Sequence, residues 1–178
     1  MRVFIAVEIS DENNLKKIQT FQDKLEINAK PTKIDQIHFT LQFLGEIDEK
    51  KCEKVKNVLN KISFPKFKLY LKGVGGFPNL NNPRVIWVGT DKGGQKLSEI
   101  SKEIGMKLTT LGFKEDKKFK PHLTVFRIKK KIGDISSLMQ EYETAEFGSE
   151  IVSKIKLKKS VLSPDGSEYS DLLEVNAK

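Results

Sequence analysis

The chain has 178 residues, of which 38% are hydrophobic and 31% charged, enough for one core under a well-solvated surface. A net charge of +8 points to a polyanionic partner, nucleic acid first, with a lysine-rich solubilising surface as the plain alternative. The single cysteine, Cys52, excludes an internal disulfide, and no apolar run is long enough to span a membrane.

Residues 2–9 are β-branched and apolar up to Glu8, with no cleavage-site pattern behind them. They read as a strand and not a signal peptide, so the chain reads as cytoplasmic and monomeric. Ser10-Asp11 can cap a helix over 12–29, where Leu15, Ile18, Phe21 and Leu25 recur at helical spacing until Pro31 stops it. Residues 36–44 form a strand closed by Gly45. At period 2, Phe39, Leu41 and Phe43 face one way and His38, Thr40 and Gln42 the other. Asp48 opens a second helix with the stripe Cys52, Val55, Val58, Leu59 and Ile62, which makes Cys52 a core residue and not a nucleophile.

Pro65 precedes a strand over 66–73. The run from Gly73 to Pro83, with its Gly75-Gly76 pair, reads as a loose connection. A strand follows over 84–89, then a helix from Gly93-Gly94 to Gly112 with Leu97, Ile100, Ile104, Leu108 and Leu111 on one face. Residues 118–128 carry Pro121-His122-Leu123-Thr124-Val125, in which His122 and Thr124 share a face. A short helix over 134–143, a strand over 150–162, the turn Ser163-Pro164-Asp165-Gly166 and a strand over 167–175 complete the chain.

The order strand, helix, His/Thr strand, helix, strand occurs twice. Arg2-Val3 and Arg84-Val85 lie 82 residues apart, and His38 and His122 lie 84 apart. That offset predicts an internal duplication: one domain of two pseudo-symmetric lobes, roughly 1–75 and 84–162, plus a C-terminal hairpin. The symmetry would set the polar faces of the two His/Thr strands across one cleft.

These are the only two histidines in the chain. One imidazole can remove a proton from a nucleophile and the other can give one to a leaving oxygen, on opposite sides of one phosphorus. Thr40 and Thr124 project beside their histidines and can donate to non-bridging oxygens. Arg127 lies five residues after His122, an odd parity that turns it to the back unless the strand bulges. The main rival is a metal site, but no H-E-x-x-H, second cysteine or spaced carboxylate cluster accompanies the pair, so neither metal nor cofactor is expected. A non-catalytic basic RNA-binding module stands as the second reading.

The motifs His38-Phe39-Thr40-Leu41 and Pro121-His122-Leu123-Thr124-Val125-Phe126-Arg127, the start Met1-Arg2-Val3-Phe4-Ile5-Ala6 and the tail Ser160–Tyr169 resemble the 2H phosphoesterase superfamily. Within it, the chain resembles the RNA 2′,3′-cyclic phosphodiesterases, also called 2′-5′ RNA ligases. The resemblance implies an α+β bilobal, pseudo-twofold duplicated fold, with two mostly antiparallel sheets lining a central cleft and helices outside. It implies hydrolysis of a 2′,3′-cyclic phosphate at an RNA end to a 2′-phosphomonoester, with joining of tRNA halves as the reverse chemistry. It also implies that His38 is the proton donor, His122 the proton acceptor, and Thr40 and Thr124 phosphate ligands. Where the family often has a small residue before the arginine, this chain has Phe126, expected to narrow the cleft or stack on a base.

Overall fold

The computed structural model describes residues 1–178. In chain order the elements are β1 (Arg2–Glu8), α1 (Glu12–Lys24), β2 (Lys30–Pro31), β3 (His38–Glu46), α2 (Glu49–Leu59), β4 (Phe67–Phe77) and β5 (Val85–Thr90). There follow α3 (Gly94–Leu108), β6 (Leu123–Arg127), α4 (Ser136–Met139), β7 (Glu146–Val152), β8 (Lys154–Ser163) and β9 (Gly166–Asn176). Asp11 caps α1 by accepting from the Asn13 and Asn14 amides, and Asp48 caps α2 by accepting from Lys51. α1 ends at Lys24, well short of Pro31: Leu25 turns extended and buries its side chain, so tertiary packing sets that boundary.

All strand pairs are antiparallel. The order β7-β4-β5-β6-β3-β1-β8-β9 divides into two four-stranded halves that meet at the single pair Phe39–Leu123. The two expected sheets are thus joined at one point. Chain order and sheet halves do not coincide. β4, from the first part of the chain, pairs with β5, and β8 returns to pair with β1. Each half therefore receives a strand from the other part of the chain, which ties the halves together. The span read as one strand over 150–162 is two in opposite halves of the sheet, β7 at one edge and β8 between β1 and β9.

Of the run expected to be loose, Gly73–Phe77 belongs to β4 and residues 78–83 form the connection toward β5. Gly75 pairs with Trp87, and a Cβ there would collide with the Trp87 indole. The absence of a side chain lets that ring lie flat on the neighbouring strand. One face of the sheet carries Val3, Ile5, Val7, Phe39, Leu41, Leu123 and Val125, all buried in the core with residues of α1, α2 and α3. The other face carries both histidines.

Candidate active site

β3 and β6 run antiparallel about Phe39–Leu123, whose side chains enter the core. His38 and Thr40 flank that pair on one strand, His122 and Thr124 on the other, and all four occupy the opposite face. His38 lies across from Thr124, and Thr40 from His122. The duplication thus converts two H-x-T sequences into a four-cornered polar patch.

Both imidazoles are tethered in the same way. Nδ1 of His38 pairs with the Gln36 carbonyl at 2.7 Å, and Nδ1 of His122 with the Lys120 carbonyl at 2.7 Å. A carbonyl only accepts, so each Nδ1 carries the proton and each Nε2 is left for chemistry. Nε2 of His38 lies 3.0 Å from the Thr40 hydroxyl. Burial lowers the His38 pKa below the ordinary imidazole value; the Gln36 carbonyl and Glu8 oppose this, while Lys158 and Arg127 add to it. Burial likewise lowers the His122 pKa, against the Lys120 carbonyl and Asp116, with Arg127 and Lys120 adding to the depression. One guanidinium, Arg127, acts on both rings.

Arg127 reaches this face because the strand does bulge. The register between β5 and β6 steps from Ile86–Phe126 to Trp87–Thr124, so Val125 has no partner on β5. Val125 and Phe126 are both buried and Arg127 emerges on the side of Thr124. Phe126 is 3% exposed with its ring edge-on to Phe21. It neither narrows the cleft nor stacks on a base, because the bulge turns it inward.

β3 bulges at the equivalent position. Register steps from Ile5–Gln42 to Ala6–Thr40, leaving Leu41 unpaired. Leu41 and Gln42 are buried and Phe43 is 74% exposed. The alternation that placed Phe43 in the core fails here, and Phe43 joins His38 and Thr40 on the cleft face as the counterpart of Arg127. The carbonyl of each bulged residue accepts from a buried helix side chain, that of Val125 also from the Thr32 amide at 2.9 Å. Ser101 of α3 donates to Leu41 O at 2.8 Å, and Gln22 of α1 donates to Val125 O at 2.9 Å.

Several residues at the site carried no sequence signal. Lys156 and Lys158 pair with Glu8 and Asp171, and Lys158 is only 7% exposed. Glu8 is the register partner of His38. With Asp35, Gln36 and Tyr169, Glu8 and Lys158 enclose a cavity of about 130 Å³ against His38. The Tyr169 ring sits edge-on to His38 at 5.6 Å, and Gln36 donates to the Ser167 carbonyl at 2.7 Å, so the β8–β9 hairpin folds over that end of the cleft. Only the alternation of Lys156 and Lys158 with buried Ile155 and Leu157 hinted at an inward-facing charge. No group of three or more His, Cys, Asp or Glu side chains is arranged to hold a metal ion, and no helix is long and apolar enough to cross a membrane.

An antiparallel, two-part α+β sheet with one histidine-threonine pair from each part defines a two-histidine phosphoesterase architecture. The chain belongs to the LigT like phosphoesterase family, whose pattern matches it twice, at residues 7–87 and 88–169. An RNA 2′,3′-cyclic phosphodiesterase of Methanocaldococcus jannaschii is 40% identical over 98% of this chain and 99% of its own length. One of Archaeoglobus fulgidus is 37% identical over 97% and 98%. Among solved structures, a Thermus thermophilus protein superposes with a TM-score of 0.80 at 26% identity, covering 99% of this chain and 97% of that one. Escherichia coli LigT, solved in complex with 3′-AMP, shares the fold with a TM-score of 0.79 at 23% identity, covering 99% and 97%.

Proposed function

We propose that this protein hydrolyses RNA 2′,3′-cyclic phosphate ends to 2′-phosphomonoesters by acid and base catalysis from its two histidines, without a metal ion. The observation that carries the reading is the matched pair of imidazoles on one sheet face, each with Nδ1 held by a backbone carbonyl so that Nε2 is the nitrogen turned to the chemistry, that of His38 beside the Thr40 hydroxyl. The activity for which the two archaeal relatives are named supports it. Water attacks phosphorus while His122 Nε2 takes its proton. The P–O3′ bond breaks and O3′ takes a proton from His38 Nε2; the 2′-phosphomonoester and a free 3′-hydroxyl remain.

The division of labour follows the family resemblance. His122 is buried, with Phe77 edge-on at 4.8 Å, and burial together with the cations Arg127 and Lys120 lowers its pKa and keeps it neutral and able to accept. His38 is likewise lowered by burial, Lys158 and Arg127, and the Glu8 carboxylate across the ladder opposes this only weakly. An entering phosphate anion raises the proton affinity of both rings. Thr40, Thr124 and Arg127 face the non-bridging oxygens, and Phe43 offers an exposed ring beside them for the terminal nucleoside.

The test is turnover of an RNA oligonucleotide ending in a 2′,3′-cyclic phosphate, in the presence of chelator. Wild-type protein should yield the 2′-phosphate, and His38→Ala or His122→Ala should lose about 10²- to 10⁴-fold in rate with unchanged circular dichroism. Full turnover by both variants would end the proposal.

A further inference from the structure

The cleft is closed at one end and open at the other. Antiparallel pairing about Phe39–Leu123 puts the residues after Thr40 and those before His122 at the same end. That end carries exposed Phe43 and the exposed side chain of Lys120. The other end is stoppered by Gln36 and the β8–β9 hairpin. An RNA strand leaving the phosphate toward the open end passes Phe43 and Lys120.

A cavity of about 460 Å³ begins there, in the half of the sheet that holds His122. Lys120 and Pro121, the two residues leading into His122, form one wall, and Lys72, Trp87, Thr90 and Ser98 form others. Its volume suits one nucleotide. Trp87 is the register partner of Thr124 and lies on the cleft face, its indole flat over Gly75 and Gly89. The Lys120 ammonium covers the ring at 4.6 Å from its centroid. Asp91 and Glu143 also line the cavity and balance Lys72 and Lys120. A charge-balanced pocket does not select a bare phosphate; a flat indole bordered by hydroxyls does select a base.

We propose that this cavity is a second nucleotide subsite, in which the base preceding the cyclic end stacks on Trp87. The inference rests on the activity proposed above and adds that the substrate is recognised over at least two nucleotides. The Lys120 ammonium moves from the indole face to the phosphate joining them. The terminal nucleoside lies against Phe43, so the two bases are read separately.

The chain's sole tryptophan is Trp87, which makes intrinsic fluorescence a direct probe. A dinucleotide carrying a terminal 2′-phosphate should quench it, and 2′-AMP at saturating concentration should not. In turnover, a dinucleotide ending in a 2′,3′-cyclic phosphate should show a kcat/KM at least about tenfold above that of 2′,3′-cyclic AMP. Ser98→Phe fills the cavity from α3, away from the histidines. It should bring the dinucleotide down to the mononucleotide value while leaving the latter within about twofold. Equal kcat/KM for the two wild-type substrates with no selective quench would overturn the subsite and leave the cyclic phosphodiesterase reading standing. So would an equal loss on both substrates in Ser98→Phe. Failure to open either substrate would instead remove the activity, and the subsite with it.

Discussion

The two histidines occupy equivalent positions in unlike surroundings. Each precedes a threonine by two residues, each has Nδ1 on the carbonyl two residues upstream, and each strand bulges just after the threonine. Around them the equivalence ends. His38 packs between Phe4 and Tyr169 and faces a network in which Lys156 and Lys158 pair with Glu8 and Asp171, and Lys156 also with Glu174. His122 packs on Phe77, with lone cations as its charged neighbours apart from the more weakly acting Asp116. The bulge after Thr40 delivers the apolar Phe43, and the bulge after Thr124 delivers the cationic Arg127. Duplication thus supplies two copies of a tether, and divergence of the flanking strands sets them in unlike surroundings.

The sharpest way to break this comparison is at Arg127, which acts on both rings at once. Arg127→Ala should cost about 10²- to 10³-fold in kcat by removing the donor aimed at the phosphate. It should also move the pH profile. Both imidazole pKa values are depressed, so the base stays neutral, and the acid loses its proton, at lower pH than free imidazole would. The kcat/KM profile of the wild type, which reports the free enzyme, should therefore be a bell centred on the acid side of about 6.5. Without the guanidinium both limbs should shift to higher pH. A bell that stays in place would show that Arg127 does not act on the two rings.

Phe43→Ala should raise KM about tenfold and change the melting temperature little, because the ring is exposed and its aromatic contact is with Phe4 alone. A large drop in stability would return Phe43 to the core.

Glu8→Gln probes the network beside His38. Burial alone would raise the Glu8 and Asp171 carboxyls, but hydrogen bonds from Lys156 and Lys158 outweigh it and hold both below the usual carboxylate range. A depressed carboxyl contributes stability that is present above its unfolded pKa and lost as pH falls through the folded one. Removing the Glu8 charge should cost about 1–3 kcal/mol at neutral pH, less than a fully orphaned buried charge because Lys158 keeps Asp171. The loss should shrink toward pH 3, which urea unfolding across that range would record.

Ser101→Ala should cost about 1–2 kcal/mol by leaving the Leu41 carbonyl without its partner, with a fall of a few degrees in melting temperature.

How much of this was legible beforehand follows from which interactions are local. Strand alternation, Asp48 as a cap and the repeated H-x-T spacing depend on neighbouring residues, and they located the elements, the two histidines and their threonines. Phe43, Phe126 and Arg127 depend on bulges pinned by Ser101 and Gln22, which arrive from distant helices, so period-2 counting turned Phe43 the wrong way and the cleft position expected for Phe126 from the family resemblance failed for the same reason. The condition stated for Arg127, a bulge in its strand, is the one the structure meets. The Gly73–Phe77 segment looked loose because its glycines have no side chains of their own; one of them, Gly75, lies beneath Trp87, a residue of another strand. Glu8 and Lys158 meet only when β8 returns to β1, a pairing that no local pattern announces.

Since the chain has only two histidines, its proton NMR spectrum contains only two imidazole C2–H resonances, one from each side of the cleft. Titration with 2′-AMP should shift both together, saturating at one ligand per chain with one shared Kd, and should raise both pKa values. Movement of a single resonance, or two resonances that saturate at different concentrations, would mean that the rings do not hold one phosphate between them.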